Sequence, residues 1–188
     1  MKVLIATEKP FASAAVKGIQ EILDTAGYDC EILEKYTEKS QLLAAVKTAN
    51  ALIIRSDKVD KEVMEAAPEL KIVVRAGAGY DNVDLEAATQ LGIVVMNTPG
   101  QNANAVAELV VGLLIYTIRH KYDGTSGTEL MGKKIGLMAF GAVAQNLARI
   151  AKGIGMDVSS FSPLNRPQKI IDAGFHVHES VEALFLYN

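Results

Sequence analysis

Short apolar runs rich in β-branched residues alternate with helical patterns through the first half of the chain. The predicted strands are Lys2–Thr7, Tyr28–Leu33, Ala51–Arg55, Lys71–Arg75 and Ile93–Asn97. The predicted helices are Phe11–Ala26, Thr37–Ala49 with Thr37 as its cap, Lys61–Ala67 and a short helix from Asp84. Strands without polar alternation are typical of a parallel sheet covered on both faces. The regular strand–helix alternation therefore predicts an α/β protein built from right-handed βαβ units.

The second half begins with Asn104–Arg119, a predicted helix that is apolar on nearly every face. Such a helix must be buried, between domains or between subunits. The polar segment Lys121–Gly132 follows, and its three glycines favour a domain boundary there. A second βαβ pattern comes next, with strands Lys134–Met138, Asp157–Phe161 and Phe175–His178 and helices Ala142–Ile154, Ile170–Ala173 and from Val181.

Composition argues against several classes of function but does not identify a single one. The net charge of −3 over 188 residues argues against a nucleic-acid partner. Cys30 is the single cysteine, so it forms no internal disulfide, and its place in a strand predicts a buried structural thiol. The N-terminus lacks the pattern of a signal peptide, and the apolar stretch from Ala105 to Ile118 is shorter than the ~20 residues that span a bilayer. We therefore expect a cytoplasmic protein with no membrane partner.

Positive charge and glycine follow three predicted strands. Because ligands of parallel α/β sheets bind outside the carboxyl ends of the strands, these residues are candidates for an anion site. Glycines 77 and 79 allow a tight turn whose N–H groups point at a carboxylate, and arginine binds carboxylate or phosphate bidentately. Solvated loop charges and simple turn glycines remain the alternative. The candidates are Arg55, Ser56 and Lys58, then Arg75, Ala76, Gly77, Ala78 and Gly79, and finally the segment 97–102 with Asn102.

A candidate phosphate-binding loop joins strand Lys134–Met138 to the next helix. The dinucleotide fingerprint G-x-G-x-x-G serves a tight turn, close approach to a pyrophosphate and close helix packing. Here the loop reads Ala139-Phe140-Gly141-Ala142-Val143-Ala144, so only the middle glycine is kept. Alanine is an accepted variant at the third position but is strained at the first if φ must be positive there. The helix N-terminus can still attract phosphate.

The carboxylate expected to hold the ribose 2′-hydroxyl is absent from its usual place. Ser162 stands there, with Arg166 close behind. This pair favours a 2′-phosphate and hence NADP, while decay of the site is the equal alternative. His120, His176 and His178 have no clustered carboxylate or cysteine in the sequence and are interpreted as surface or structural residues, so no metal site is expected.

Several motifs, taken in order, resemble the D-isomer-specific 2-hydroxyacid dehydrogenases, most closely the D-3-phosphoglycerate dehydrogenase branch. The likeness runs from residue 1 to about residue 186. It is specific because independent motifs recur in the same order and spacing. They are Ile54-Arg55-Ser56, residues 75–84 (RAGAGYDNVD), Met96-Asn97-Thr98-Pro99, Val106-Ala107-Glu108-Leu109 and residues 127–133 (GTELMGK).

The resemblance implies a flavodoxin-like substrate domain over residues 1–103, followed over 104–188 by a linker helix and the first half of a Rossmann domain. It implies hydride transfer between C2 of a small anionic 2-hydroxyacid or 2-oxoacid and the nicotinamide of NAD, as in serine biosynthesis. The substrate would meet Arg55, Ser56, Arg75, Ala76, Gly77, Gly79 and Asn102. The cofactor would meet Ala78, Ala139, Gly141, Ala142, Val143 and Ser162.

The resemblance also implies what the sequence lacks. The family's catalytic arginine and its histidine–glutamate pair belong to later segments, so no residue is assigned a catalytic role. We therefore expect a truncated chain that is inactive alone and binds the cofactor weakly or not at all. An open sheet edge at Lys134–Met138 and the helix from 104 to 119 predict a homo-oligomer. A non-catalytic assembly module and an NADP-linked reductase completed by a second polypeptide remain alternatives.

Overall fold

Two parallel β-sheets, one in each half of the chain, organise the structure. This computed structural model describes residues 1–163 and 167–187. It divides into two units, Met1–Pro99 and Gly100–Asn188, and each unit has its own hydrophobic core. The polar segment 121–132 therefore lies inside the second unit and does not form the boundary that its glycines suggested.

The first unit is a five-stranded parallel sheet in the order β2-β1-β3-β4-β5. This is the flavodoxin-like order, and it confirms the fold class inferred from the sequence. The strands are β1 Lys2–Thr7, β2 Asp29–Glu34, β3 Ala51–Ile54, β4 Ile72–Arg75 and β5 Val94–Asn97. The helices are α1 Ser13–Thr25, α2 Lys39–Ala45, α3 Lys61–Glu65 and α4 Leu85–Gln90, and a 3-10 turn covers Val46–Thr48.

One face of this sheet carries most of the first core. Leu4, Leu52 and Val73 lie in one cross-strand row and are fully buried beneath residues of α2, α3 and α4. The caps of α3 and α4 are aspartates, whose carboxylates accept the N–H of the residue three positions on. The cap of α2 differs from the prediction: it is Glu38 rather than Thr37, and Gln41 reaches back to the N–H groups of both.

The other face is only partly covered, which corrects the expectation of a sheet buried on both sides. Exposure increases towards β5, where Val94 and Met96 are 56% and 53% exposed. Helix α1 packs against β2 but contains no fully buried residue. Cys30 on β2 is half-buried and not buried as predicted, because β2 is an edge strand under this loosely packed helix.

The second unit is a three-stranded parallel sheet in the order β6-β7-β8. Three strands in this order match the first half of a Rossmann sheet. The strands are β6 Lys134–Met138, β7 Asp157–Phe161 and β8 His176–Val177. The helices are α5 Ala103–Ile118, α6 Ala142–Gly153, α7 Pro167–Asp172 and α8 Val181–Tyr187, with a 3-10 turn at His120–Tyr122. The core is built around Leu137, Phe140, Leu147, Val158 and Ile170.

Helix α5 is buried on one side only. Ala107 is fully buried and α5 packs along α6, whereas Leu109 and Leu113 on its outer side are 62% and 54% exposed. The apolar outer side is therefore not covered by the rest of its own unit. No helix among residues 1–163 and 167–187 is both long enough and apolar enough to cross a bilayer.

Candidate functional site

Two arginines lie at neighbouring strand ends in the first unit. Arg75 is the last residue of β4 and pairs in register with Ile54, the last residue of β3, which Arg55 follows directly. Adjacent strands are about 4.8 Å apart, so both side chains start from the same short stretch of the sheet edge. Arg55 and Ser56 are exposed and Arg75 is half-buried. The edge therefore presents two permanent positive charges to solvent, as an anion site requires.

Asp57 organises this edge, and the sequence reasoning missed it. Its buried carboxylate accepts the N–H of Glu8 at 2.7 Å, the hydroxyl of Tyr36 at 2.8 Å and the N–H of Arg55 at 3.2 Å. The segments that follow β1, β2 and β3 are thus joined at one carboxylate. Burial and the hydrogen bond to Asp57 raise the pKa of Tyr36 well above its usual range. The available signal was a charged residue three positions after the end of β3, but only the fold reveals that its side chain is buried.

The loop after β4 is shaped by contact between Arg75 and Gly77. The Arg75 guanidinium lies where a side chain on residue 77 would begin, so only glycine leaves room for it. The Nε of Arg75 is buried and has no acceptor among the described residues. Asn97 Nδ2 donates to the carbonyl of Ala78 at 2.7 Å, and Thr98 N–H donates to that of Gly77 at 2.9 Å. The end of β5 therefore holds this loop in place.

The remaining substrate candidate, Asn102, lies in the second unit. It is the exposed residue that precedes α5, and its side chain makes no capping hydrogen bond. A side chain on nearby Gly100 would approach the Ala142 Cβ at 3.9 Å, so this segment runs beside the start of α6. Asn102 thus belongs to the same unit as the phosphate-loop candidates.

The turn between β6 and α6 adopts the backbone conformation of a glycine loop even though it lacks the first glycine. Ala139 has φ +100°, a region that residues other than glycine rarely adopt. This strain is what the sequence predicted for alanine at the first fingerprint position. Ala78, another cofactor candidate, lies in the loop after β4 in the first unit.

The start of α6 is open at the remaining fingerprint positions. Gly141 is the N-cap and no atom lies within 4 Å of where its Cβ would be. No side chain caps the helix, so the N–H groups of its first turn, at Ala142 and Val143, are not paired within it. Ala144 is partly buried against the second core, which is the close packing required at the third position. The geometry fits a phosphate at this helix end.

One known protein family matches this chain along almost its whole length. The family model described as D-isomer specific 2-hydroxyacid dehydrogenase, catalytic domain, matches residues 5–183. The chain belongs to this dehydrogenase family.

Two named proteins are similar in sequence to most of this chain. A hydroxypyruvate reductase from Thermotoga maritima is 36% identical over 149 residues, which is 72% of this chain and 49% of the relative. A D-3-phosphoglycerate dehydrogenase from Methanocaldococcus jannaschii is 34% identical over 175 residues, or 86% of this chain and 32% of the relative. This chain therefore spans half or less of the length of these two relatives.

A solved structure also matches the family assignment. The structure of 3-phosphoglycerate dehydrogenase from Entamoeba histolytica with NAD+ bound superposes with a TM-score of 0.90 at 44% identity. The match covers 98% of this chain and 59% of that one. The α/β fold with parallel sheets is thus the fold of this dehydrogenase family.

Ser162 follows β7 at the position where a dinucleotide site usually has its ribose acid. The serine is almost fully buried at the end of the strand. Arg166, which the NADP hypothesis pairs with it, lies outside the described residues.

The histidines of the second sheet take part in a surface cluster around α8. His176 Nε2 is 3.7 Å from an Asp157 carboxylate oxygen, and the ring of His178 contacts that of Tyr187. Tyr187 donates its hydroxyl to Asp157 at 2.9 Å, and Lys134 lies over its ring. In the described part of the chain, no three His, Cys, Asp or Glu side chains are grouped to hold a metal ion.

Proposed function

We propose that this chain holds the anion-binding edge and the cofactor phosphate loop of an NAD(P)-dependent D-2-hydroxyacid dehydrogenase of the phosphoglycerate type. The observation that carries this proposal is the pair Arg55 and Arg75 at adjacent strand ends, with Arg75 seated against Gly77. Two guanidinium groups suit a ligand with a carboxylate and a phosphate, because each can bind one oxyanion bidentately. The ligand is a small anionic 2-hydroxyacid or 2-oxoacid.

The cofactor part of the proposal rests on the turn at Ala139–Ala144. A nicotinamide dinucleotide, when bound, supplies the hydride acceptor or donor for C2 of the hydroxyacid. The first turn of α6 would hold its pyrophosphate, because the N–H groups there point outward and Gly141 leaves the approach open. Asn102 would lie at the substrate, and Ser162 at the adenosine ribose.

Catalysis is not part of the proposed role of the chain by itself. No described residue is assigned the proton transfer that accompanies hydride transfer, so we expect binding without turnover. Purified protein of these 188 residues, incubated with NAD+ and 3-phosphoglycerate, should show no NADH absorbance above a protein-free control. Sustained NADH formation would contradict this part of the proposal.

Binding is tested by titrating NADH and NADPH into the intact chain and following nicotinamide fluorescence. We expect saturable binding of at least one of them, and weaker binding in Gly141→Val, which closes the approach to α6. The matched control is Gly153→Val near the other end of the same helix, where a Cβ would also meet open space. Equal loss in both variants, or no binding at all, would refute the cofactor role.

Preference between the two cofactors is a separate question. A serine in place of a ribose carboxylate removes repulsion against a 2′-phosphate, which favours NADP. In this case the chain would act as an NADP-linked reductase completed by a second polypeptide. Tighter binding of NADPH than of NADH supports this alternative, and equal failure of both removes it.

A second candidate role is self-association, and the exposed side of α5 favours it. Leu109 and Leu113 lie one helical turn apart and are both more than half exposed. The free edge of β6 is a weaker candidate, because Lys134 places a charge on it and charged residues protect strand edges. Light scattering on the purified chain should give the mass of a dimer, and a monomer would contradict this role.

A further inference from the structure

The strained turn at Ala139 is held from the neighbouring strand β7. Ala139 N–H donates to the carbonyl of Phe161 at 2.7 Å. The fully buried hydroxyl of Ser160 lies 3.0 Å from the carbonyl of Leu137 and 3.3 Å from that of Ala139, so its single proton is shared between the two acceptors. Both backbone polar groups of Ala139 are therefore bonded to β7, one to its backbone and one to a side chain.

The residues after Ala139 connect the turn to helix α6 and are themselves held in place. Phe140 is buried in the second core with its ring 6.0 Å from that of Phe175, and its carbonyl accepts from Gln145 Nε2 at 2.9 Å. Gly141 then caps the helix. The peptide between Ala139 and Phe140 thus links the end of β6 directly to a firmly packed helix start. A change of φ at Ala139 would therefore change the direction in which the chain enters α6.

Glycine would adopt φ +100° without steric cost, whereas alanine does so only when its surroundings impose it. A hydroxyl on β7 that binds the Ala139 carbonyl is such a constraint. We propose that Ser160 is a positioning residue that replaces the missing first glycine, holding the Ala139 turn open for a dinucleotide pyrophosphate. This inference rests on the cofactor role proposed above and assigns Ser160 a part in it.

The test is a double-mutant cycle on the full chain with Ser160→Ala, Ala139→Gly and both together. In the chain that keeps Ala139, loss of the hydroxyl should weaken NADH binding about ten-fold, because the turn relaxes away from positive φ. In the chain that carries Ala139→Gly, the same loss should cost about two-fold or less, because glycine keeps the conformation unaided. Equal losses in the two backgrounds would overturn the proposal.

Ser159→Ala is the matched control. Ser159 is the preceding residue on β7, is fully buried and points to the opposite face of the sheet. We expect it to change the thermal midpoint without changing the NADH dissociation constant. If Ser159→Ala weakened NADH binding as much as Ser160→Ala, Ser160 would be an ordinary buried hydroxyl with no positioning role.

A second measurement does not need the nucleotide. The sign of φ at Ala139 is read by NMR from its HN–Hα coupling and Cβ chemical shift, in the unmodified chain and in Ser160→Ala. We expect a positive φ that is lost in the variant. An unchanged φ would refute the role of Ser160 even if NADH binds, and a changed φ without any NADH binding would refute only the cofactor role.

Discussion

At the residue scale, buried polar groups decide the shape of both candidate sites. Asp57 joins three loops below Arg55, and Ser160 holds the turn at Ala139. Neither was singled out from the sequence, because aspartate and serine are common in loops and strand ends and their burial depends on residues distant in the chain. Arg55 and Arg75 were predictable, because their charge and their place at the end of a strand are local properties.

Tyr36→Phe tests the Asp57 cluster. Removing the hydroxyl leaves a buried carboxylate with one donor fewer, so we expect a loss of about 1–3 kcal/mol in the free energy of unfolding near pH 8. Burial and Asp57 raise the pKa of Tyr36 in the folded state. Its contribution is therefore fully present below its unfolded pKa of about 10 and is lost as the pH rises above that value.

Urea denaturation of the two proteins at pH 8 and at pH 11 measures this effect. The difference in the free energy of unfolding between the unmodified protein and Tyr36→Phe should be smaller at pH 11 than at pH 8. The control is Tyr122→Phe, at an exposed tyrosine of the second unit. It should leave the free energy of unfolding unchanged at both pH values. A difference that is independent of pH would contradict the assignment of the Tyr36 hydroxyl to Asp57.

Gly77→Ala tests whether Gly77 positions the Arg75 side chain. The new methyl group would displace the guanidinium, which is the flexible end of a long side chain, so stability should change little. Binding of 3-phosphoglycerate, measured by calorimetry, should weaken about ten-fold as the charge moves away. Gly18→Ala on α1 is the control, because it lies outside the candidate site and its Cβ would meet open space. An equal or larger loss of binding in Gly18→Ala would show that Gly77→Ala does not act through Arg75.

At the element scale, the strands and helices follow the hydrophobic pattern closely. Each predicted strand is present, with ends that agree within about two residues. The pattern failed where an element meets few neighbours. Helix α1 has an apolar face but no fully buried residue, and β5 alternates exposed and half-buried residues at the sheet edge. Periodicity indicates which side chains share a face, but not whether another element covers that face.

Two glycines, one inside helix α1 and one after its end, test helix propensity and backbone strain separately. Gly18 lies inside α1 with open space around its Cβ position, so Gly18→Ala should raise the free energy of unfolding by about 0.5–1 kcal/mol. Gly27 follows the helix with φ +69°, so Gly27→Ala should lower it by about 1 kcal/mol. Equilibrium urea unfolding measures both. Changes of the same sign would show that the glycines do not act through these local conformations.

At the scale of the whole molecule, the two units reproduce the family fold, but each leaves apolar surface uncovered. In the first unit this surface is the β5 side of the sheet, and in the second it is the outer side of α5. The sequence predicted that α5 would be buried because it is apolar all round. The structure shows that its own unit covers only the side that faces α6.

Leu113→Asp tests whether a second copy of the chain covers α5. A charge at the centre of an apolar interface is costly, so the variant should have the mass of a monomer where the unmodified chain is a dimer. Size-exclusion chromatography with light scattering measures both masses. The control is Ile22→Asp on α1, which is 70% exposed and should leave the dimer intact. A dimer that persists in Leu113→Asp would contradict an interface at α5 and would leave the free edge of β6 as the other candidate.

The sequence by itself determined the order of the strands and helices and the strand ends where ligand-binding residues occur. These are local or topological properties, because residue periodicity marks each element and parallel connections bring the strand ends to one edge of each sheet. The tertiary structure alone decided that Asp57 is buried, that Ala139 has positive φ and that α5 is half exposed. Each of these depends on which surfaces meet after folding, and distant residues such as Tyr36, Ser160 and Ala107 supply those surfaces.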